Sequence, residues 1–203
     1  EDDVLRRSLR TVRPYYSLVT RKIAYSDWGA ATSRRRLFVF GFLEDGTALR
    51  RMLDHLDGMK APAKSVREAI GDLEDIPRGG FPDHSWSELR TIERYRDKYA
   101  KGSYGWRVLS WDAPAPSFGN VAKTYTLHPS GRRVISVREA MKIMGFPDDY
   151  VFPEMGLRDR YQMVADAVSP VFSGKLAEAV VNALRGRSPQ GPAGLVGPEG
   201  SSL

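Results

Sequence analysis

The 203-residue chain contains no cysteine. That excludes disulfides, thiolate-bound zinc and a cysteine nucleophile supplied by these residues. Only three histidines are present, His55, His84 and His128, and they lie far apart, so a histidine-built metal site is not expected. No apolar run approaches the ~18 residues that a membrane span needs. The acidic start, Glu1-Asp2-Asp3, lacks the apolar core of a secretory peptide, and the expected setting is cytoplasmic. A Walker loop, G-x-G-x-x-G, H-E-x-x-H and G-x-S-x-G are all missing. Carboxylates such as Glu139 and Asp148-Asp149 are available, but nothing marks them as a catalytic pair.

What is present suits a folded α/β chain. Apolar residues make up 41% and charged residues 28%, enough for one large domain or two small ones. The net charge of +6 is concentrated at the start: residues 1–36 carry nine Lys/Arg against four acids. A basic surface of this kind suits a polyanion, with nucleic acid the leading candidate. On charge alone, a solvated helix face explains it equally well.

Residues 4–13 place Val4, Leu5, Leu9 and Val12 on one helical stripe, which Pro14 ends. Residues 17–25 read as a strand. Residues 36–42 are nearly all apolar and aromatic, which predicts a strand buried on both faces in a parallel or mixed sheet. A helical period returns over 47–57, with Leu49, Met52, Leu53 and Leu56. Ser65 with Glu68, and Ser136 with Glu139, form capping boxes that open two further helices. Gly145-Phe146-Pro147 stops the second of these. A last helix begins near Ser169-Pro170 and carries Val171, Phe172, Leu176, Ala179, Val180, Ala183 and Leu184. Between them, residues 58–130 form an irregular, short-stranded module rich in Gly, Pro and aromatics. Residues 186–203 have the composition of a disordered tail.

Two features carry chemistry. Arg34-Arg35-Arg36 follows the small-residue loop Gly29-Ala30-Ala31-Thr32-Ser33 and enters the second strand. Alternation sends Arg34 and Arg36 to one side and Arg35 to the other, and two guanidiniums together can grip a phosphate or a base oxygen. Three solvated arginines are the simpler reading on spacing alone. The loop Gly102–Asn120 mixes glycine with Tyr104, Trp106, Trp111 and Phe118, which can stack on bases or form a loop-rich mini-core, the latter being the simpler reading. His84 and His128 read as surface or structural residues.

Several segments, in order, resemble the C-terminal half of DNA (cytosine-5) methyltransferases. Trp28-Gly29 through Arg34-Arg35-Arg36 to Gly41 resembles the eighth motif, a tyrosine-glycine loop, then Q-x-R-x-R, then a strand. Ser65 to Leu73 resembles the helix that follows it, and Trp111 to Ser117 the end of the target-recognition region. Arg133 to Ala140, continuing to Met144-Gly145-Phe146-Pro147, is similar to the ninth motif, R-x-L-T-x-R-E-A-x-x-x-Q-G-F-P. Tyr161 to Pro170 is similar to the tenth, whose core reads G-N-A-V-P-P. The resemblance covers residues 4–185. Thr32 departs from the glutamine of motif eight, Met144 from a glutamine of motif nine, and Ala165-Asp166 from the glycine-asparagine of motif ten.

The resemblance implies the C-terminal part of a Rossmann-like, S-adenosylmethionine-dependent methyltransferase sheet: residues 1–57 and 131–185 belong to the catalytic domain, and 58–130 are an inserted target-recognition module. It implies a mechanism in which the target cytosine is flipped from the duplex, a cysteine thiolate adds at C6, and C5 takes the donor's methyl group. The donor loop, the Pro-Cys loop and the Glu-Asn-Val segment of that mechanism are not in this sequence, which begins about where the last would have ended. The resemblance assigns Arg34 and Arg36 a supporting catalytic role at the flipped cytosine, on the DNA-backbone side of the cleft. It puts Thr32, Arg34, Arg36, Lys101, Gly102, Tyr104 and Ser117 at the DNA, and Asp166 and Val168 beside S-adenosylmethionine. Arg138 and Glu139 would organise the recognition module rather than touch substrate.

The expectation is thus the C-terminal half of a restriction-modification type methyltransferase, either a separate subunit of a split enzyme or a fragment, phage-encoded or nucleoid-associated, that binds duplex DNA and needs an N-terminal-half chain bearing the nucleophile. A non-catalytic homologue that binds DNA or a methyltransferase is the alternative. An unrelated basic α/β domain would require every motif match to be accidental.

Overall fold

The computed structural model describes residues 3–88 and 107–186. In chain order the elements are α1 (Asp3–Val12), β1 (Tyr16–Ala24), β2 (Arg35–Leu43), α2 (Gly46–Gly58), α3 (Val66–Ile70), β3 (Arg107–Val108), α4 (Val121–Thr124), β4 (Thr126–Leu127), α5 (Val137–Met144), α6 (Leu157–Asp166) and α7 (Pro170–Leu184). This mixed α/β order matches α1, β1, β2, α2, α3, α5 and α7 as read from the sequence to within a residue or two, whereas α4 and α6 were not anticipated. Lys101, Gly102 and Tyr104, and the tail expected after Gly186, lie outside the described residues.

The chain forms two compact units, the first from residues up to Arg21, Phe38–Lys60 and Lys175 onward, the second from Lys22–Leu37 and Ala61–Gly174. In the first, α2 starts at Asp45, whose carboxylate accepts from the Ala48 N–H at 2.7 Å. Ala48, Leu49, Met52, Leu53 and Leu56 repeat at three- and four-residue steps and are all buried, so the helix presents one apolar stripe. Arg51 donates to the Ala183 carbonyl at 3.3 Å and Lys175 to the Met59 carbonyl at 2.9 Å. Two cations thereby meet backbone oxygens at helix C-termini, where the dipole favours them.

β1 and β2 pair with each other. The bonds at their ends, Tyr25 N–H to Arg34 O and Glu44 N–H to Tyr15 O, both 3.0 Å, make the pair antiparallel. The expectation of a β2 buried on both faces is not met. Only Phe40 is buried, while Leu37, Val39 and Leu43 are 49%, 39% and 63% exposed. The reason is that, among the described residues, this sheet has two strands and the face that carries these side chains stays open.

The second unit is built on α5. Both capping boxes form as read: Ser65 Oγ accepts from Glu68 N–H and Ser136 Oγ from Glu139 N–H, with each glutamate reaching back to the serine N–H at 2.7 Å. Their settings differ. Glu68 is exposed, whereas Glu139 is fully buried and needs a cation, which Arg133 supplies in a bidentate pair with both contacts at 2.7 Å. Arg138, also fully buried, donates to the carbonyls of Pro82, Pro147, Asp148 and Tyr150. Gly145 ends α5 at φ +87°, and a Cβ there would lie 2.5 Å from Val171 Cγ2, so both conformation and space require glycine.

Of the segment 58–130, the described residues from Ala61 onward fall in the second unit. They pack into the same unit as 131–174, through bonds such as Val137 N–H to Ser85 O, Ile135 N–H to Thr126 O and His128 N–H to Arg133 O. Of the loop aromatics, Tyr104 and Trp106 lie outside the described residues, Trp111 meets His128 edge-on at 5.1 Å, and Phe118 is buried.

His128 is structural. Its Nδ1 accepts from the Ser130 N–H at 3.2 Å, which leaves the proton on Nε2, 3.8 Å from Glu139 Oε1. Burial, reinforced by Arg133 against the opposing pull of Glu139, lowers its pKa to about 4. The unfolded chain therefore binds this proton at higher pH than the fold does. The contribution is intact above pH ~6.5 and is lost as pH falls toward 4, a difference on the order of 2–3 kcal/mol. His84, buried and also lowered, acts in the same direction. Urea unfolding of the wild-type chain should lose that much more stability between pH 7.5 and 4.5 than His128→Asn, whose side chain can still accept from Ser130. Equal losses in the two proteins would refute the assignment.

Candidate functional site

The loop between β1 and β2 is fixed from both ends. Asp27 O accepts from Ala61 N–H at 3.0 Å, and Gly29 turns at φ +90°. Ala115 then pairs with the loop twice at 2.8 Å, giving its N–H to Ala31 O and accepting from Ser33 N–H. Ala30, Ala31 and Thr32 are buried as a result. Thr32 Oγ1 accepts from the Arg34 N–H at 3.3 Å and faces inward, away from solvent.

The structure separates the two arginines that the sequence puts on one side. Arg34 precedes β2 and is 2% exposed. It donates Nη1 to Phe118 O at 3.1 Å and Nη2 to Ala165 O. Its planar fork thus ties the 115–120 loop to the C-terminal turn of α6. Burial lowers its pKa below the ordinary guanidinium value, with Arg36 adding a push of the same sign. Arg35 and Arg36 are both exposed, so strict alternation fails here, and Arg36 donates to the adjacent Arg35 O at 2.9 Å. The expected shared grip is corrected accordingly: the described donors of Arg34 are committed to carbonyls, and Arg36 carries the accessible charge.

Asp166 ends α6 and is exposed, as is Val168, at 42%. Both Asp166 oxygens accept from Gln162 Nε2, at 3.0 and 2.9 Å. Gln162 Oε1 accepts in turn from Asn120 Nδ2 at 3.0 Å, and the same amide reaches Arg158 O at 3.1 Å. Ser117 is exposed on the loop whose neighbour Phe118 receives Arg34. Arg34, Phe118, Asn120, Gln162 and Asp166 thus form one connected group around the end of α6. Of these, Gln162 was accessible to sequence reasoning through its i,i+4 spacing to Asp166, whereas no local signal marks Asn120 or the Phe118 carbonyl.

A separate cavity of about 330 Å³ lies behind the loop, lined by Gly29, Ala31, Glu68, Lys142, Phe146 and Asp148 among others. Lys142 is held there by Asp72 at 2.6 Å and Asp148 at 3.2 Å. None of the residues expected at a functional site line it.

The family profile for C-5 cytosine-specific DNA methylases matches residues 13–182. The chain is 25% identical over 197 residues to type II methyltransferase M.MthTI of Methanothermobacter thermautotrophicus, covering 84% of this chain and 58% of that protein. Against M.FnuDI of Fusobacterium nucleatum it is 26% identical over 179 residues, covering 75% of this chain and 52% of that protein. It therefore spans a little over half the length of these relatives. The crystal structure of S. pombe Dnmt2 methyltransferase shares the fold, with a TM-score of 0.67 at 11% identity over 91% of this chain and 63% of that one. The chain belongs to the C-5 cytosine-specific DNA methylase family.

Proposed function

We propose that these residues are the DNA-engaging C-terminal part of a cytosine-5 methyltransferase whose cysteine nucleophile lies outside them, on a second chain or in a longer form of this one. One observation carries the reading: a sequence matched to this family over residues 13–182 contains no cysteine at all. The thiolate that must add to cytosine C6 has to come from elsewhere. Within the chain, the work divides by solvent access. Arg36, exposed at the mouth of β2, engages the flipped cytosine or its flanking phosphates. Arg34 positions it by locking the strand entry to the 115–120 loop and to α6. Ser117 and the segment containing Lys101, Gly102 and Tyr104 take the groove side of the duplex.

The loop after α6 fits the methyl donor. Asp166 offers a carboxylate held by Gln162, and Val168 an exposed apolar side chain, complementary to a ligand with ammonium and sulfonium charges beside an apolar adenosine. S-adenosylmethionine, when bound, supplies an electrophilic methyl group. Asp166 and Val168 would orient it from this side. A non-catalytic DNA- or methyltransferase-binding role is the second reading, favoured by Thr32, which stands buried where motif eight carries glutamine.

Methyl transfer to mixed-sequence duplex DNA separates the two readings. The chain alone should transfer nothing, and the chain mixed with the product of an adjacent frame encoding Pro-Cys and Glu-Asn-Val should methylate cytosine. Silence in the mixture with salt-sensitive DNA binding intact would favour the binding module.

The two arginines should fail differently. Arg36→Ala should melt within about 0.5 kcal/mol of wild type, as exposed substitutions do, and abolish transfer. Arg34→Ala leaves two buried carbonyls without donors and should cost about 2–4 kcal/mol in urea unfolding. A destabilised Arg36→Ala, or a fully stable Arg34→Ala, would overturn this division of roles.

A further inference from the structure

Four buried side-chain polar atoms in the second unit have no hydrogen-bond partner among the described residues, and apart from His128 Nε2 they are Tyr25 Oη, Arg34 Nε and Ser169 Oγ. Tyr25 and Ser169 are fully buried and Arg34 nearly so. They share one neighbourhood. The Tyr25 N–H bonds to Arg34 O, and its phenol faces the guanidiniums of Arg34 and Arg36 and the backbone amide of Ser169. The ring is held by Phe172, at 5.7 Å between centroids, and Phe172 is held in turn by Trp28 at 5.2 Å. Burial, opposed by the nearby arginines, keeps the phenol above its ordinary pKa, so the hydroxyl stays neutral and can both donate and accept.

Ser169 precedes α7, and its carbonyl takes the first helical bond, from Ser173 N–H at 2.9 Å. A serine there ordinarily caps the helix through its hydroxyl, and this one does not. Each unmet group costs stability, and a set of three concentrated beside a substrate-facing arginine is the pattern of strain kept for function. The set is also mutually complementary. Arg34 Nε–H is a donor only, while both hydroxyls donate and accept.

Resting on the methyltransferase reading above, we propose that Tyr25 is a positioning residue for the Arg34–Arg36 pair. When DNA loads Arg36, Arg34 Nε donates to Tyr25 Oη and Tyr25 donates to Ser169 Oγ. This chain joins the arginine loop to the Ala167–Ser169 segment that leads from Asp166 into α7, and so links the DNA side to the donor side. In the free chain the hydroxyl makes no hydrogen bond of good geometry among the described residues. In the loaded state it fixes the arginines in register.

The test is Tyr25→Phe, with Ser169→Ala as an independent second variant, in the two-chain mixture. Removing an unpaired buried hydroxyl should leave the melting temperature of the chain unchanged or raise it by about 2–4 °C. The same variants should lower kcat about tenfold, with KM for DNA within about threefold of wild type, the size expected for one hydrogen bond to a charged donor. A residue that merely supports the fold would give the reverse, a lower melting temperature with kcat intact. A lowered melting temperature in both variants, or an unchanged kcat, overturns the proposal. If the wild-type mixture makes no product, the functional reading fails instead, and the melting shift still decides whether the Tyr25 hydroxyl is held unpaired.

Discussion

A guanidinium that leaves water has to be surrounded by oxygen, and the second unit is organised around that requirement at Arg138. Its side chain is fully buried, and the carbonyls of Pro82, Pro147, Asp148 and Tyr150 converge on it. Asp83 stands 3.7 Å away, with its other oxygen taken by Arg160 at 3.0 Å. Two segments far apart in sequence must therefore follow fixed paths for one cation to be satisfied. The next residue carries the opposite burden. Glu139 closes the α5 cap and pairs with Arg133, so the first turn of one helix anchors the 82–85 segment, the 133–136 approach and the 147–150 turn. Breaking such an arrangement from one side strands the remaining charge and costs on the order of 3–5 kcal/mol.

Arg34 repeats the device at the candidate site, with a consequence for chemistry. Carbonyl acceptors leave its charge unneutralised, since no carboxylate forms an ion pair with it among the described residues. The residual positive charge lies beside Arg36 and pushes on it. Two like charges held together favour an incoming anion more than either alone, and the fold has already met the cost of fixing one of them. A buried arginine and an exposed one are thus complementary, the first adding to the field at the second.

What the sequence made legible is what is local. The Ser65 and Ser136 boxes, the left-handed Gly145 and the proline start of α7 each depend on residues within a turn of one another, and each formed as read. The fates of Arg34 and of β2 were not legible. Arg34 is buried by carbonyls 84 and 131 positions away, and alternation cannot register a partner at that distance. The apolar run at β2 was a sound strand signal, but hydrophobicity says only that a face prefers cover, not that this chain supplies it. His84 and His128 proved to be structural, and their burial follows from Glu139 and Ser136, again through contacts remote in sequence.

The exposed face of β2 leaves apolar surface that a covering element would bury. A two-stranded sheet is marginal alone, and in the first unit it keeps Val39, Leu43 and Tyr16 at 39%, 63% and 41% exposure. On α1, Val4 is 69% and Val12 37% exposed, on a helix whose arginines face water. At about 25 cal/mol per Å² of apolar surface removed from water, covering residues of this size is worth several kcal/mol. A partner that covers them with apolar sheet gains that energy whether or not it touches DNA. Affinity for the partner and affinity for DNA would then respond differently to salt, the first little and the second steeply, because only the second rests on released counterions.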